Sequence, residues 1–188
     1  TLALVANSTD LLPTIVSRCR VLRLRPLPRR RVAEALEARG LTPDDAALLA
    51  AWSGGRIGWA IGMVNRPDDL AQRQEQLDAL ITIAAQGRAA AFRWAEQRAK
   101  EYRAGEQETV FTWLALWQGW WRDVLLTAAG CPEGVVNIDR RPDLERAAGH
   151  YSLPQIYAFA SRIGAAAQQL RENGNPQLVL ENVLLHLP

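Results

Sequence analysis

An arginine at position 18 stands between a serine and a cysteine, at the end of the run Leu-Leu-Pro-Thr-Ile-Val-Ser-Arg-Cys-Arg from Leu11 to Arg20. A guanidinium is a planar, permanently charged fork of donors suited to carboxylate and phosphoryl oxygens. After a helical turn it can equally cap the last carbonyls or pair with an acid. A second candidate cation is Arg56, flanked by Gly55 and Gly58, glycines that also suit a helix start and close packing. A third is the run Arg29-Arg30-Arg31 at the head of a helix. Cations there oppose the helix dipole, so a channel for duplex DNA and a solvated helix start both stay open.

Other chemistries are poorly served. Cys19 and Cys131 have no CxxC spacing, and His150 and His186 are isolated. A zinc site needs about four ligands, so no metal is expected. His150 and Tyr151 show no nucleophile–base arrangement. Trp113, Trp117, Trp120 and Trp121 are spaced like base-stacking platforms, but only Arg122 is interleaved with them. Core packing and subunit contact are therefore their expected roles.

The chain has 188 residues, 48% of them hydrophobic, and a net charge of +2. That is enough to bury a core in one domain or two small ones, and too mild a charge for a dedicated nucleic-acid binder. Almost all the basic charge is arginine, Lys100 being the sole lysine. No apolar run approaches the ~20 residues that span a bilayer, and no signal-like start is present, which points to an intracellular protein without a membrane partner.

Residues Leu2–Ala6 read as a buried strand. The chain opens in it without methionine, which leads us to expect a fragment or a protein whose N-terminal part has been removed. Leu11–Val16 fits one or two helical turns, and Arg20–Leu24, with Val21, Leu22 and Leu24 among charges, reads as a second strand. Helices follow from Pro28 onward. Arg29–Arg39 carries Val32 and Leu36 on one face and stops at Gly40. Thr42-Pro43-Asp44-Asp45 is a start signal, with Thr42 as cap, for a helix through Trp52 to Ser53-Gly54-Gly55. Arg56–Val64 is the third, its Gly58 and Gly62 suited to close approach of another backbone. Asp69–Ala84, Ala89–Ala104 and Glu108–Ala129 come next, the last apolar almost all round and therefore central or at an interface. After a loop over Gly130–Pro142 we expect a short helix to Gly149, then Ser152–Leu170 and Pro176–Leu187. Gln86-Gly87 is the internal boundary.

Leu11–Arg20 resembles the Ser-Arg-Cys motif, with its preceding Leu-x-Pro-Thr-Ile stretch, of the AAA+ subunits of the bacterial DNA polymerase III clamp loader. "TLALVAN" resembles their sensor 1 strand and puts that role at Asn7 or Ser8. "WSGGRIGWAIGMV", Trp52–Val64, resembles the sensor 2 region that opens the third lid helix. "NPQLVLENVLLHLP" resembles the final collar helix. The resemblance spans the chain and is sharpest up to Asn65 and from Asn175. It implies a mainly α chain: a short α/β remnant of an AAA+ core at 1–27, a helical lid at 28–85 and a helical collar bundle for oligomerisation at 87–188.

Among these subunits the chain is most like delta prime, the non-hydrolysing one. Gly54-Gly55-Arg56-Ile57-Gly58-Trp59 departs from the Gly-Ser-x-Arg-Asp-Ala expected of the hydrolysing tau/gamma subunit, whose tau form also continues past the collar. A fragment of tau/gamma, or another AAA+ replication or repair protein, is the alternative. The resemblance makes Arg18 an arginine finger supplied in trans to a neighbour's ATP, with Pro13, Thr14, Ser17 and Cys19 shaping its backbone and Cys19 buried as a small apolar plug. It sets Asn7 and Arg56 near nucleotide and lets Arg29, Arg30 and Arg31 face DNA. It implies partners as well: tau/gamma and delta through the collar, and the sliding clamp and primer–template DNA through the complex, in the cytoplasmic replication machinery. ATP and Mg would be bound by the neighbouring subunit. No GxxxxGK[ST] loop occurs in the chain, so nothing here cradles nucleotide phosphates. The purified chain alone is therefore expected to turn over no ATP above a mock preparation in a phosphate-release assay.

Overall fold

The structure, a computed structural model, describes Val5 and residues 11–188. Most of the expected strand Leu2–Ala6, together with Asn7, thus lies outside the described residues. The described residues form ten α-helices and no strand, which bears out the mainly helical fold class. In order they are α1 (Pro13–Val16), α2 (Arg29–Glu37), α3 (Pro43–Ser53), α4 (Ile57–Val64), α5 (Pro67–Gln86), α6 (Arg88–Arg103), α7 (Gln107–Ala128), α8 (Arg141–His150), α9 (Leu153–Arg171) and α10 (Pro176–Leu185).

The expected strand Arg20–Leu24 is not formed. Residues 20–24 take no regular secondary structure, no strand among the described residues lies beside them, and Val21, Leu22 and Leu24 are exposed. A strand is held by its ladder and by a face to bury, and alternation alone supplies neither.

The cap expected at Thr42 forms, and two later helices begin with caps of the same kind. The Thr42 hydroxyl oxygen accepts from the Asp45 amide at 3.2 Å, and Asn175 Oδ1 accepts from the amides of Gln177 and Leu178 at 3.0 and 3.3 Å. At the head of α9 the Ser152 amide donates to Gln155 Oε1 at 2.9 Å, half of a capping box.

Two apolar clusters result. The first joins Val32 and Leu36 of α2 to Leu49, Ala50 and Trp52 of α3 and Ala60 of α4. The second is larger and has α7 at its centre, with Trp117 2% exposed and T-stacked on Phe159 of α9 at 5.3 Å. Ala91, Ala95 and Ala99 form a buried row of small residues at four-residue spacing on α6, a helix that packs against α5, α7 and α10. Helix α5 serves both clusters, Leu70 the first and Leu77, Leu80 and Ile83 the second.

The clusters are joined through the connection between α7 and α8, which holds two 3₁₀ turns at Pro132–Gly134 and Ile138–Arg140. Asp123 of α7 is fully buried. Its Oδ2 accepts from the amides of Val136 and Asn137 at 2.9 and 2.7 Å and from the Asn137 side-chain amide at 2.7 Å. Its Oδ1 accepts from Arg122 at 2.8 Å. Asn137 Oδ1 in turn accepts from Arg73 of α5, whose guanidinium lies 3.8 Å over the Trp52 ring of α3. Arg29 of α2 donates to the Val135 carbonyl at 2.7 Å, and Arg140 pairs with Asp78 of α5 at 2.7 Å. Burial pushes the Arg73 guanidinium down to about 10, against the opposing pull of Asp139 and Asp123, so it remains charged at neutral pH. Folding releases its proton only in the window from about 10 to its ordinary value, so stability from this group rises with pH there and is unaffected near neutrality.

A second tight contact holds the arm that precedes α2. Gly55 has φ +83°, and a Cβ built on it would lie 2.5 Å from the Leu27 carbonyl oxygen. The Leu27 amide donates to the Gly55 carbonyl at 2.9 Å. Gly58 and Gly62, expected to admit another backbone, have nothing within 4 Å of a built Cβ. Close approach falls instead on the turn before α4.

Asp123→Ala is expected to destabilise the chain by about 3–5 kcal/mol, because two buried donors of Asn137, the part-buried Val136 amide and Arg122 lose their acceptor. Asp123→Asn is expected to cost less, and urea unfolding measures both. Gly55→Ala is expected to cost about 1–2 kcal/mol from backbone conformation alone, and more from overlap with Leu27. Trypsin should then cut faster at Arg20, Arg23 and Arg25 than in Gly54→Ala, whose built Cβ meets open space.

Candidate functional site

Arg18 follows the single turn of α1. The Ser17 amide donates to the Pro13 carbonyl at 3.0 Å, the Arg18 amide to Ile15 at 3.1 Å and the Cys19 amide to Val16 at 3.2 Å. The Ser17 hydroxyl donates to the Thr14 carbonyl at 3.1 Å. Pro13 opens the turn, where its missing N–H costs nothing. Backbone and hydroxyl bonds thus shape the Ser-Arg-Cys stretch without involving the guanidinium. Arg18 is exposed and has no ion pair among the described residues. Cys19 is exposed too, which corrects the expectation of a buried plug. No residue of α1 or of the arm up to Pro28 is buried, so the thiol has no cavity to fill.

Arg56 is held by its own neighbourhood. It sits at the N-cap of α4, its Nε donates to the Ser53 carbonyl at 2.8 Å, and its guanidinium lies 5.7 Å from the Trp59 ring centre. Ser53 is buried, donates to the Ala50 carbonyl at 2.8 Å and accepts from the Gly55 amide at 3.0 Å. The Ser53-Gly54-Gly55-Arg56 turn is therefore a rigid seat for Pro26 and Leu27, which carry the arm that bears Arg18. Asn7 lies outside the described residues.

The arginine run is divided by the fold. Arg29 is turned onto the Val135 carbonyl, whereas Arg30 and Arg31 are exposed and lie 3.3 and 3.5 Å from Glu34. Trp113, Trp117, Trp120 and Trp121 are all buried, so their ring faces serve the core. Among the described residues no group of His, Cys, Asp and Glu has metal-binding geometry, and no helix is long and apolar enough to cross a membrane.

What Arg18 can do chemically follows from its isolation. Among the described residues no acid competes for its guanidinium, so its capacity is electrostatic: donation to anionic oxygens brought to it from outside. The polar groups that organise the fold, Arg73, Asp123 and Asn137, were not among the expected site residues. An acid inside the apolar stretch Trp120-Trp121-Arg122-Asp123-Val124 was the available signal, since a charge on a buried face requires partners.

Residues 67–188 match the family model described as DNA polymerase III, delta subunit, C terminal. No curated protein matches the chain. The match covers α5 to α10, including the α7–α8 connection and the helices of the larger cluster, and it agrees with the resemblance to DNA polymerase III clamp-loader subunits. Because it takes in more than half of the chain, the protein belongs to the family of C-terminal domains of the DNA polymerase III delta subunit.

Proposed function

We propose that the chain is the lid-and-collar part of a clamp-loader subunit of delta prime type, which supplies Arg18 in trans to ATP and Mg held by a neighbouring subunit. The family match over residues 67–188 is the observation that carries this reading. In it, residues 1–27 end an AAA+ core, 28–85 form the lid and 87–188 form the collar that binds tau/gamma and delta. The assembled loader then places the sliding clamp on primer–template DNA. A finger must be free in its own chain and held at a defined height. The exposed side chain of Arg18, with its backbone tied by Ser17, supports that role. Of the arginine run, Arg30 and Arg31 are the candidates for DNA phosphate contact, because Arg29 is already committed to Val135.

The chemistry assigned to Arg18 is stabilisation of charge on the transferring phosphoryl oxygens, which develops only when a neighbour's nucleotide reaches its transition state. Arg18→Ala in the full-length protein is expected to leave assembly and thermal unfolding unchanged, since an exposed surface side chain contributes within about 0.5 kcal/mol. DNA-stimulated ATP turnover per intact complex should fall. The fall should be smaller than the roughly 10³–10⁵ of a lone finger, because subunits facing other arginines continue to work. Arg18→Lys should restore little, since an ammonium lacks the planar fork. Wild-type turnover in the Arg18→Ala complex would overturn this role.

A further inference from the structure

The second cluster is not closed on all sides. A cavity of about 590 Å³ opens between the C-terminal half of α5, the middle of α7 and the last turns of α8. Leu80 and Ile81 form one wall and Trp117, Trp120 and Trp121 another. Tyr151 closes one end, its ring tilted against Trp121 at 5.7 Å. The volume is that of ligand pockets, which range over roughly 300–1,000 Å³. Three indoles and a phenol are the side chains that dominate the buried anchors of protein interfaces.

Polar groups lie along its edge, and they are unbalanced. The only carboxylate lining it, Asp143, is paired with Arg146 at 2.9 Å and lies 3.9 Å from Arg140. Arg146 is nonetheless 74% exposed and turns most of its donors outward. His150, also exposed, stands at the same edge. The Trp121 indole N–H is buried without an acceptor. Donors therefore outnumber acceptors around an apolar interior. The complement is a large apolar side chain with a carboxylate close to it.

We propose that this cavity is a docking site for a short acidic segment of a partner protein, which inserts an aromatic or large aliphatic anchor against the indoles and sets an adjacent Asp or Glu on Arg146. This goes beyond the role assigned to Arg18 and does not depend on it. Charge complementarity selects the segment, and burial of the anchor supplies most of the affinity. Basic segments would meet the Arg146 guanidinium and be rejected.

Gly149 makes the site testable without unfolding the protein. It lines the cavity, lies within α8, and has nothing within 4 Å of a built Cβ. A leucine there keeps the helix and occupies the opening. The intact chain is used to select binders from a displayed library of random dodecapeptides. Synthetic copies are then titrated while indole fluorescence is followed. Selected peptides are expected to carry an aromatic or large aliphatic residue beside Asp or Glu, and to change the indole emission. Gly149→Leu should weaken binding by about tenfold or more, equivalent to 1.4 kcal/mol, with its thermal unfolding unchanged. Arg146→Gln should slow association and flatten its salt dependence. The proposal is overturned if no peptide is selected, if the selected peptides are basic or lack a large apolar residue, or if Gly149→Leu binds them as tightly as the parent chain.

Discussion

A carboxylate buried without partners would be ruinous to this fold, and Asp123 has no solvent at all. Its site on α7 is surrounded by the larger apolar cluster, where an unpaired charge costs several kcal/mol. The α7–α8 connection relieves that cost by folding back and giving Asp123 two backbone amides and the Asn137 side chain. Once held there, the same connection presents the Val135 carbonyl, Val136, Asn137 and Ile138 to the first cluster. Arg29, Arg73 and Trp52 then assemble on it. One hydrogen-bonded anion thus determines how the small three-helix cluster sits on the bundle.

The apolar packing around this node follows side-chain size. Helix α7 carries indoles on successive turns and can satisfy them only with neighbours on several sides, which α5, α6, α8 and α9 provide. On α6 the bulk is smaller: three buried alanines at four-residue spacing lie on a helix that packs closely with α10. Large side chains at the centre and small ones at the rim keep a bundle of unequal helices dense. The cavity beside Trp120 and Trp121 is where that matching stops, because α8 is short and ends at His150 before it covers the indoles.

The arm with Arg18 obeys different physics. None of its side chains is buried. Its link to the helical cluster is the backbone contact of Leu27 with the Gly55 turn. Arg18 is exposed there and has no ion pair among the described residues. That makes it inexpensive to the fold and available to an anion from another molecule. Arg29 shows the opposite outcome for the same residue type, since its guanidinium is spent on a carbonyl of the α7–α8 connection.

Local signals were legible in the residues because they act within a few positions of themselves. Thr42 and Asn175 announce their helices, Gly54-Gly55 ends one, and the apolar spacing of α7 marks it as central before any contact is known. The Ser17 turn is likewise written in the run that contains it. The strand expected at Arg20–Leu24, the burial of Cys19 and the close packing at Gly58 were not realised, since each requires a partner surface that sequence spacing cannot supply. Asp123, Asn137 and Arg73 are far apart in the chain, and an isolated Asp or Arg reads as surface charge. Residue types and their periodicity determined where helices begin, end and turn their apolar faces. Only the tertiary structure decided which charges would be buried together, because the partners that make such burial possible come from distant segments and meet only when the helices have packed.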